Sequence, residues 1–328
     1  MPAAPSHAFA ISRIASALTL FALLTVLQAA PHADPPTARA PLLSANGQRH
    51  HYTISARVRP LLFWIGRDNV GDALVAKRRD MDAVGYSLLI GSDPDRAPRH
   101  INRWGYIDEE IRGDRATLVG LMTESDEESV GQAEANLQRQ RSERIFNVIH
   151  SSIADGEARS VVASIPAPAD YTFRHVDVVL DLADRQPVGG TTRVIPLLPG
   201  TRPGFLTALA DLLHAQAHHW QTSHQVSPEP AIAYVYHGRI YELTATRTLA
   251  MPTAEIGGSA YEHVIASQFQ IKNTHTGERT DFSITYTADG PLAETPLIAV
   301  YRPRWWLEVQ LTLDDTKPGP TLVAAARS

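Results

Sequence analysis

The run from Trp305 to Leu313 constrains the fold most. Trp305, Leu307, Val309, Leu311 and Leu313 alternate with Trp306, Glu308, Gln310 and Thr312, and a period of two puts one set on each face of a β-strand. Such a strand needs a sheet to bury its apolar side. The pattern recurs at Tyr52, Ile54, Ala56 and Val58, which alternate with Thr53, Ser55, Arg57 and Arg59. A two-residue turn within Tyr236-His237-Gly238-Arg239 would pair Tyr234 with Tyr241 and Val235 with Ile240. A second hairpin turning at Thr274 to Gly277 sets Phe269 and Ile271 against Phe282, Ile284 and Tyr286, and a third turns at Arg302-Pro303-Arg304. Shorter strands are expected at Ala73 to Ala76, Gly85 to Ile90, Ala116 to Met122, Ala158 to Ile165 and Thr192 to Leu198.

Helical patterns fall between these strands. Ser125-Asp126-Glu127-Glu128 has the capping-box form and predicts a helix running to His150 with a stripe of Val130, Ala133, Leu137 and Val148. Phe173, Val176, Val179 and Leu180 predict a second, capped by Asp170 or Thr172. The third spans Thr201 to Trp220, with Thr201 as its cap and Pro203 in its first turn. Phe205, Leu206, Leu209, Leu212, Leu213 and Trp220 project on one broad face of it, and Thr207, Asp211, His214 and His218 on the opposite one. The fold class expected is α+β: a large curved, mainly antiparallel sheet or open barrel, with two or three helices covering one side.

With 328 residues, 44% of them hydrophobic, the chain can bury a substantial core. A net charge of -5 argues against a general nucleic-acid binder. Arg13 precedes the apolar run Ile14 to Leu27, too short to cross a bilayer comfortably and followed by Gln28-Ala29-Ala30. That is the layout of a cleavable secretory signal over residues 1–30, with an uncleaved membrane anchor as the alternative. A Pro/Ala-rich tether over 31–47 follows. A β-rich domain over 48–314 comes next, as one unit or as two halves joined near 198–230, and then a flexible tail over 315–328. The expected location is the periplasm or outside the cell, with no transmembrane span in the mature chain. The absence of cysteine removes disulfides, thiol catalysis, a lipoprotein-type anchor and any thiolate zinc site.

The phrases Leu88-Leu89-Ile90-Gly91-Ser92-Asp93-Pro94, Ile101-Asn102-Arg103-Trp104-Gly105-Tyr106 and Arg302-Pro303-Arg304-Trp305-Trp306 resemble those of exported bacterial proteins of unknown function. The resemblance covers most of the mature chain. It implies export and a single-unit organisation, and it transfers no catalytic residue.

Three groups could carry chemistry. Asp211, His214 and His218, at i, i+3 and i+7, place a carboxylate and two imidazoles on one helical face that a divalent metal such as zinc could use. No glutamate of an H-E-x-x-H motif supplies a base there, and solvated polar side chains are the simpler account. Arg96, Arg99 and Arg103, with His100, could clamp a phosphate or carboxylate, although Asp93, Asp95, Asp108, Glu109 and Glu110 are near enough in sequence to neutralise them. Trp104 and Trp306, with Tyr234 and Tyr241, could line a ligand surface. No G-x-S-x-G, Walker or G-x-G-x-x-G motif is present. The reading is a non-catalytic envelope protein without cofactor that carries an apolar or amphipathic ligand such as a lipid, or meets an envelope partner. The alternative is a metal-assisted hydrolase using the histidine pair.

Overall fold

Antiparallel hairpins build most of what the structure describes. The computed structural model describes residues 47–58, 64–123, 143–185, 190–226, 229–304, 307–316 and 319–324, all within one unit, Ala40–Ser328. Among the described residues fourteen strands form one sheet: β1 (Gly47–Val58), β2 (Ile65–Arg79), β3 (Val84–Ser92), β4 (Trp104–Arg112), β5 (Arg115–Thr123), β6 (Glu143–Ala154), β7 (Glu157–Pro168), β8 (Thr191–Pro196), β9 (Ile232–Tyr236), β10 (Arg239–Ile256), β11 (Ser259–Asn273), β12 (Arg279–Thr287), β13 (Pro296–Arg304) and β14 (Leu307–Leu313). Two α-helices accompany them, α1 (Val176–Arg185) and α2 (Phe205–Ser223). No helix among the described residues is long and apolar enough to cross a membrane.

The strand order is β8-β7-β6-β5-β4-β3-β2-β1-β14-β13-β12-β11-β10-β9. The first and last strands of the chain therefore pair in its middle, with Ile54 opposite Leu311 and Val58 opposite Leu307. The sheet is not closed, yet its two ends touch. A Cβ placed on Gly238, in the β9–β10 turn, would lie 2.9 Å from the Cβ of Arg193 in β8 and 3.4 Å from that of Ser160 in β7. His237 and Gly238 have φ of 55° and 64°. Positive φ at both central residues is what a two-residue hairpin turn matched to strand twist requires.

Each face of the sheet holds one helix. Leu74, Leu89, Tyr106, Leu121, Val148 and Ala163 lie in one row across β2 to β7, and cross-strand partners share a face. Phe173, Val176, Val179 and Leu180 of α1 and the turn before it close over this row. Phe173, Val176 and Val179 are fully buried, and each such side chain contributes about 1.5–3 kcal/mol. The other face carries Ile284, Ala299, Leu311 and Ile54 in a row. Glu109 belongs to that face as well, being three residues on from Tyr106. There α2 packs Ala208, Leu212, Leu213 and Ala217 against Tyr234, Leu243, Phe269 and Tyr286. Ser160, which meets the β9–β10 turn, is also on the α2 side, so the two helices lie on opposite faces of the sheet. The expectation that the helices cover one side is corrected accordingly.

Four further expectations change. The helix expected to reach His150 is a strand over Glu143–Ala154, paired to β5 and β7; its upstream part, 124–142, lies outside the described residues. Phe146, Val148 and Ile149 are all fully buried, so both faces of β6 are covered and its burial does not alternate. Second, the helix expected to start at Thr201, with Thr201 as its cap, begins at Phe205 with Gly204 in the cap position. Third, Arg302-Pro303-Arg304, expected as a turn, is part of β13, and Arg304 pairs with Leu307. Fourth, the end of the chain is not all tail: Leu322 packs against the α1-side core and the Val323 amide donates to the Arg174 carbonyl at 2.7 Å.

Candidate functional site

The histidine face of α2 points to solvent. His214 and His218 are exposed and their rings lie nearly parallel, with centroids 6.3 Å apart. Asp211 is ion-paired to Arg202 at 2.5 Å, and His214 Nδ1 meets Glu294 Oε1 at 2.6 Å. The carboxylate that reaches the His214 imidazole thus comes from the β12–β13 connection, while Asp211 faces Arg202. Among the described residues no group of three or more His, Asp or Glu side chains is arranged to hold a metal ion.

The arginine segment divides in the same way. Arg96 donates from Nε to Asp93 at 3.0 Å and from its two terminal nitrogens to Asn69 and Asp72. Arg174, from the turn before α1, donates to the same Asp93 oxygen at 2.9 Å. Asp72 also meets His51 Nε2 at 3.0 Å, and His51 Nδ1 faces the Asp314 carbonyl at 3.2 Å. Burial works to raise the Asp93 carboxyl, but the Asp95 amide and the Arg174 and Arg96 guanidiniums outweigh it and hold it below the ordinary carboxylate range. This chain of groups fastens β1, β2, the β3–β4 loop and the α1 entry together. Arg99, exposed, has φ of 55°, as does His100. Arg103 is placed by its backbone, whose amide and carbonyl both bond Ser92 at 2.8 Å.

Trp104 is 4% exposed, packs its ring 4.9 Å from Phe146 and donates from Nε1 to the Tyr171 carbonyl at 3.2 Å. It is core. Tyr234 is buried likewise and stacks on Tyr241 with centroids 5.5 Å apart. Trp306 lies outside the described residues.

A cleft that sequence reasoning missed lies beside the aspartate network. Residues 319–322 run over β1 and β2, so close that a Cβ on Gly319 would sit 2.9 Å from Leu74 Cδ2. They leave a cleft of about 660 Å³ lined by Arg49, His51, Leu74, Asp315 and the segment itself. Asp315 accepts from the His51 amide at 3.2 Å and meets His50 Nδ1 at 2.8 Å. The Thr321 hydroxyl is the nucleophile-type group of this lining. Both nitrogens of His51 are already engaged by acceptors, so His51 is not poised as a base for it. Leu74, Pro320 and Leu322 give the lining its apolar part, and Arg49, His51 and Asp315 its polar part. The apolar Leu322-Val323 pair in a proline-bearing tail was the one signal that the end of the chain docks.

The position of α2 is fixed by Glu109. This carboxylate, fully buried, accepts from the Leu206 amide at 2.8 Å, the Thr207 amide at 2.8 Å and the Thr207 hydroxyl at 2.6 Å. Those amides belong to the first turn, where helical donors have no partner of their own. Gly204 is the residue before the helix, and a Cβ there would come within 2.3 Å of the carboxylate, which only glycine allows. Burial pushes Glu109 above the ordinary range despite its three donors. Deeper in, Gln216 Oε1 accepts from Ser267 at 2.9 Å and from Tyr286 at 2.7 Å. Searches against protein-family models, curated proteins and solved structures found no match to this chain.

Proposed function

We propose that this chain is an exported, non-catalytic binding protein of the cell envelope that takes one amphipathic molecule in the cleft beneath residues 319–322. The mixed lining of that cleft is the observation that carries the reading: Leu74 and Leu322 suit an alkyl chain, and the Arg49 guanidinium suits an anionic head. The face of the sheet opposite α1 is filled by α2 and its buried side chains. Export rests on the apolar run Ile14 to Leu27 behind Arg13.

Palmitate is a suitable probe, having a carboxylate head and a single chain. Native mass spectrometry and calorimetry of the exported protein should show one palmitate bound per chain. Thr321→Trp places a large ring in the cleft at an exposed position and should weaken binding roughly tenfold, equivalent to about 1.4 kcal/mol, with an unchanged melting curve. Folded parent protein that takes up no palmitate, or a Thr321→Trp variant that binds as the parent does, would sink the reading.

A further inference from the structure

We infer that the seam where the two ends of the sheet meet binds a dianionic oxyanion of the phosphate class between Arg193 and Arg239. The β9–β10 turn brings these cations together. Gly238 stands against Arg193 of β8, a Cβ there lying 2.9 Å from Arg193 Cβ and 3.1 Å from its Cδ, and His237 and Arg239 flank Gly238 in the chain. Strand pairing sets Arg193 beside Ser160 and Arg239 beside Tyr236, on the α2 side of the sheet. Arg193, His237, Arg239 and Tyr241 are all half-buried, and Arg239 hydrogen-bonds the Tyr241 side chain. Neither arginine is ion-paired to a carboxylate among the described residues, whereas Arg57, Arg78, Arg96 and Arg202 each are.

The electrostatics of the seam agree with its geometry. Burial, and then the Arg193 and Arg239 guanidiniums, hold the His237 imidazole below its ordinary range. Exposed Glu278 is the carboxylate that acts on Tyr241, against both arginines. Two cations thus face one acid. Like charges held side by side and partly out of water repel, and an anion between them replaces that repulsion with charge-assisted hydrogen bonds. Each guanidinium offers a planar fork of donors to an oxyanion, so a pair of them matches a dianion with several oxygens better than a single carboxylate. Strands β8 and β9 are the two edges of the open sheet and do not pair with each other, so a bound oxyanion would also bridge its ends.

Calorimetry of the full chain in phosphate-free buffer, with inorganic phosphate, sulfate and acetate as probes, tests this. Phosphate and sulfate should each bind at one site per chain, and acetate at least roughly tenfold more weakly. Arg193→Gln and Arg239→Gln should each weaken phosphate roughly tenfold to a hundredfold, the worth of charge-assisted hydrogen bonds. Arg159→Gln, exposed on β7 with its side chain on the other face from Ser160, serves as the control and should bind as the parent. Melting curves establish that each variant is folded. NMR titration of the parent gives a readout that needs no variant: saturating phosphate should raise the His237 pKa, because a neighbouring anion favours the charged imidazole. Failure of the folded parent to take up phosphate or sulfate at millimolar concentration, acetate binding as tight as theirs, arginine variants that bind as the parent, or an unchanged His237 titration would overturn the inference. Palmitate uptake by the Arg193 and Arg239 variants should equal the parent's, and phosphate uptake by Thr321→Trp likewise, which separates this site from the cleft on β1 and β2.

Discussion

The two helices solve one problem in opposite ways. Each must satisfy the amides of its first turn. The turn leading into α1 does so locally: Thr172 accepts from the Arg174 amide at 3.4 Å, and its own amide donates to His175 Nδ1 at 3.1 Å. Four residues of contiguous sequence, Thr172 to His175, suffice, and the helix lies on the face of the sheet opposite α2. α2 begins at Gly204 without a side-chain cap of its own and borrows the carboxylate of Glu109 from β4, a strand on the far side of the β1–β14 seam from β9 and β10. The first arrangement makes a helix start. The second also ties one half of the sheet to the helix that fills the other, so the remote cap carries tertiary structure that the local one does not.

The largest expected effect tests that difference. Glu109→Ala strands three donors in the interior and should cost about 3–5 kcal/mol in urea unfolding, with loss of hydrogen-exchange protection at Leu206 and Thr207. Glu109→Gln keeps one acceptor oxygen but turns a donor toward amides, so it should fall between parent and alanine. Thr172→Ala removes a local cap and should cost about 1 kcal/mol, with exchange altered around Arg174 and not in α2. Equal costs at the two positions would mean that the remote cap does no more than the local one.

The same contrast explains what could be read from sequence. The pairs Tyr234 with Tyr241 and Val235 with Ile240 form as expected, and Phe269 and Phe282, expected on the two arms of the next hairpin, face each other across it, because a hairpin's register follows from its turn and its alternation. Thr172 was legible as a cap for the same reason: its partners are its neighbours. Glu109 was not, since Asp108-Glu109-Glu110 reads as a solvated acidic run until the fold buries its middle member against a helix 97 residues away. Asp93 was among the acids expected to neutralise Arg96, but Asp72 and Arg174 come from distant strands and turns and leave no local trace. Strand β6 was misread because a strand covered on both faces loses its period of two. The cleft required the end of the chain to dock on β1 and β2, a contact no local pattern specifies.

The smallest effect is one of sign. The carboxyl of Asp93, on the α1 side, is held below its ordinary range. A folded-state pKa below the unfolded value contributes stability above the unfolded pKa, about 3.9, that is lost as pH falls through the folded one. Glu109 is pushed up, so its contribution runs the other way: it is present in acid, below the unfolded pKa, and is lost as pH rises through the folded value. Unfolding free energies of parent, Asp93→Asn and Glu109→Gln should therefore diverge oppositely with pH, since carboxylates common to all three cancel in the differences. On acidification the advantage of parent over Asp93→Asn should shrink, while parent should gain on Glu109→Gln. Parallel curves for the two variants would show that burial does not govern the α2 anchor, and that both carboxylates answer chiefly to the charges and donors around them.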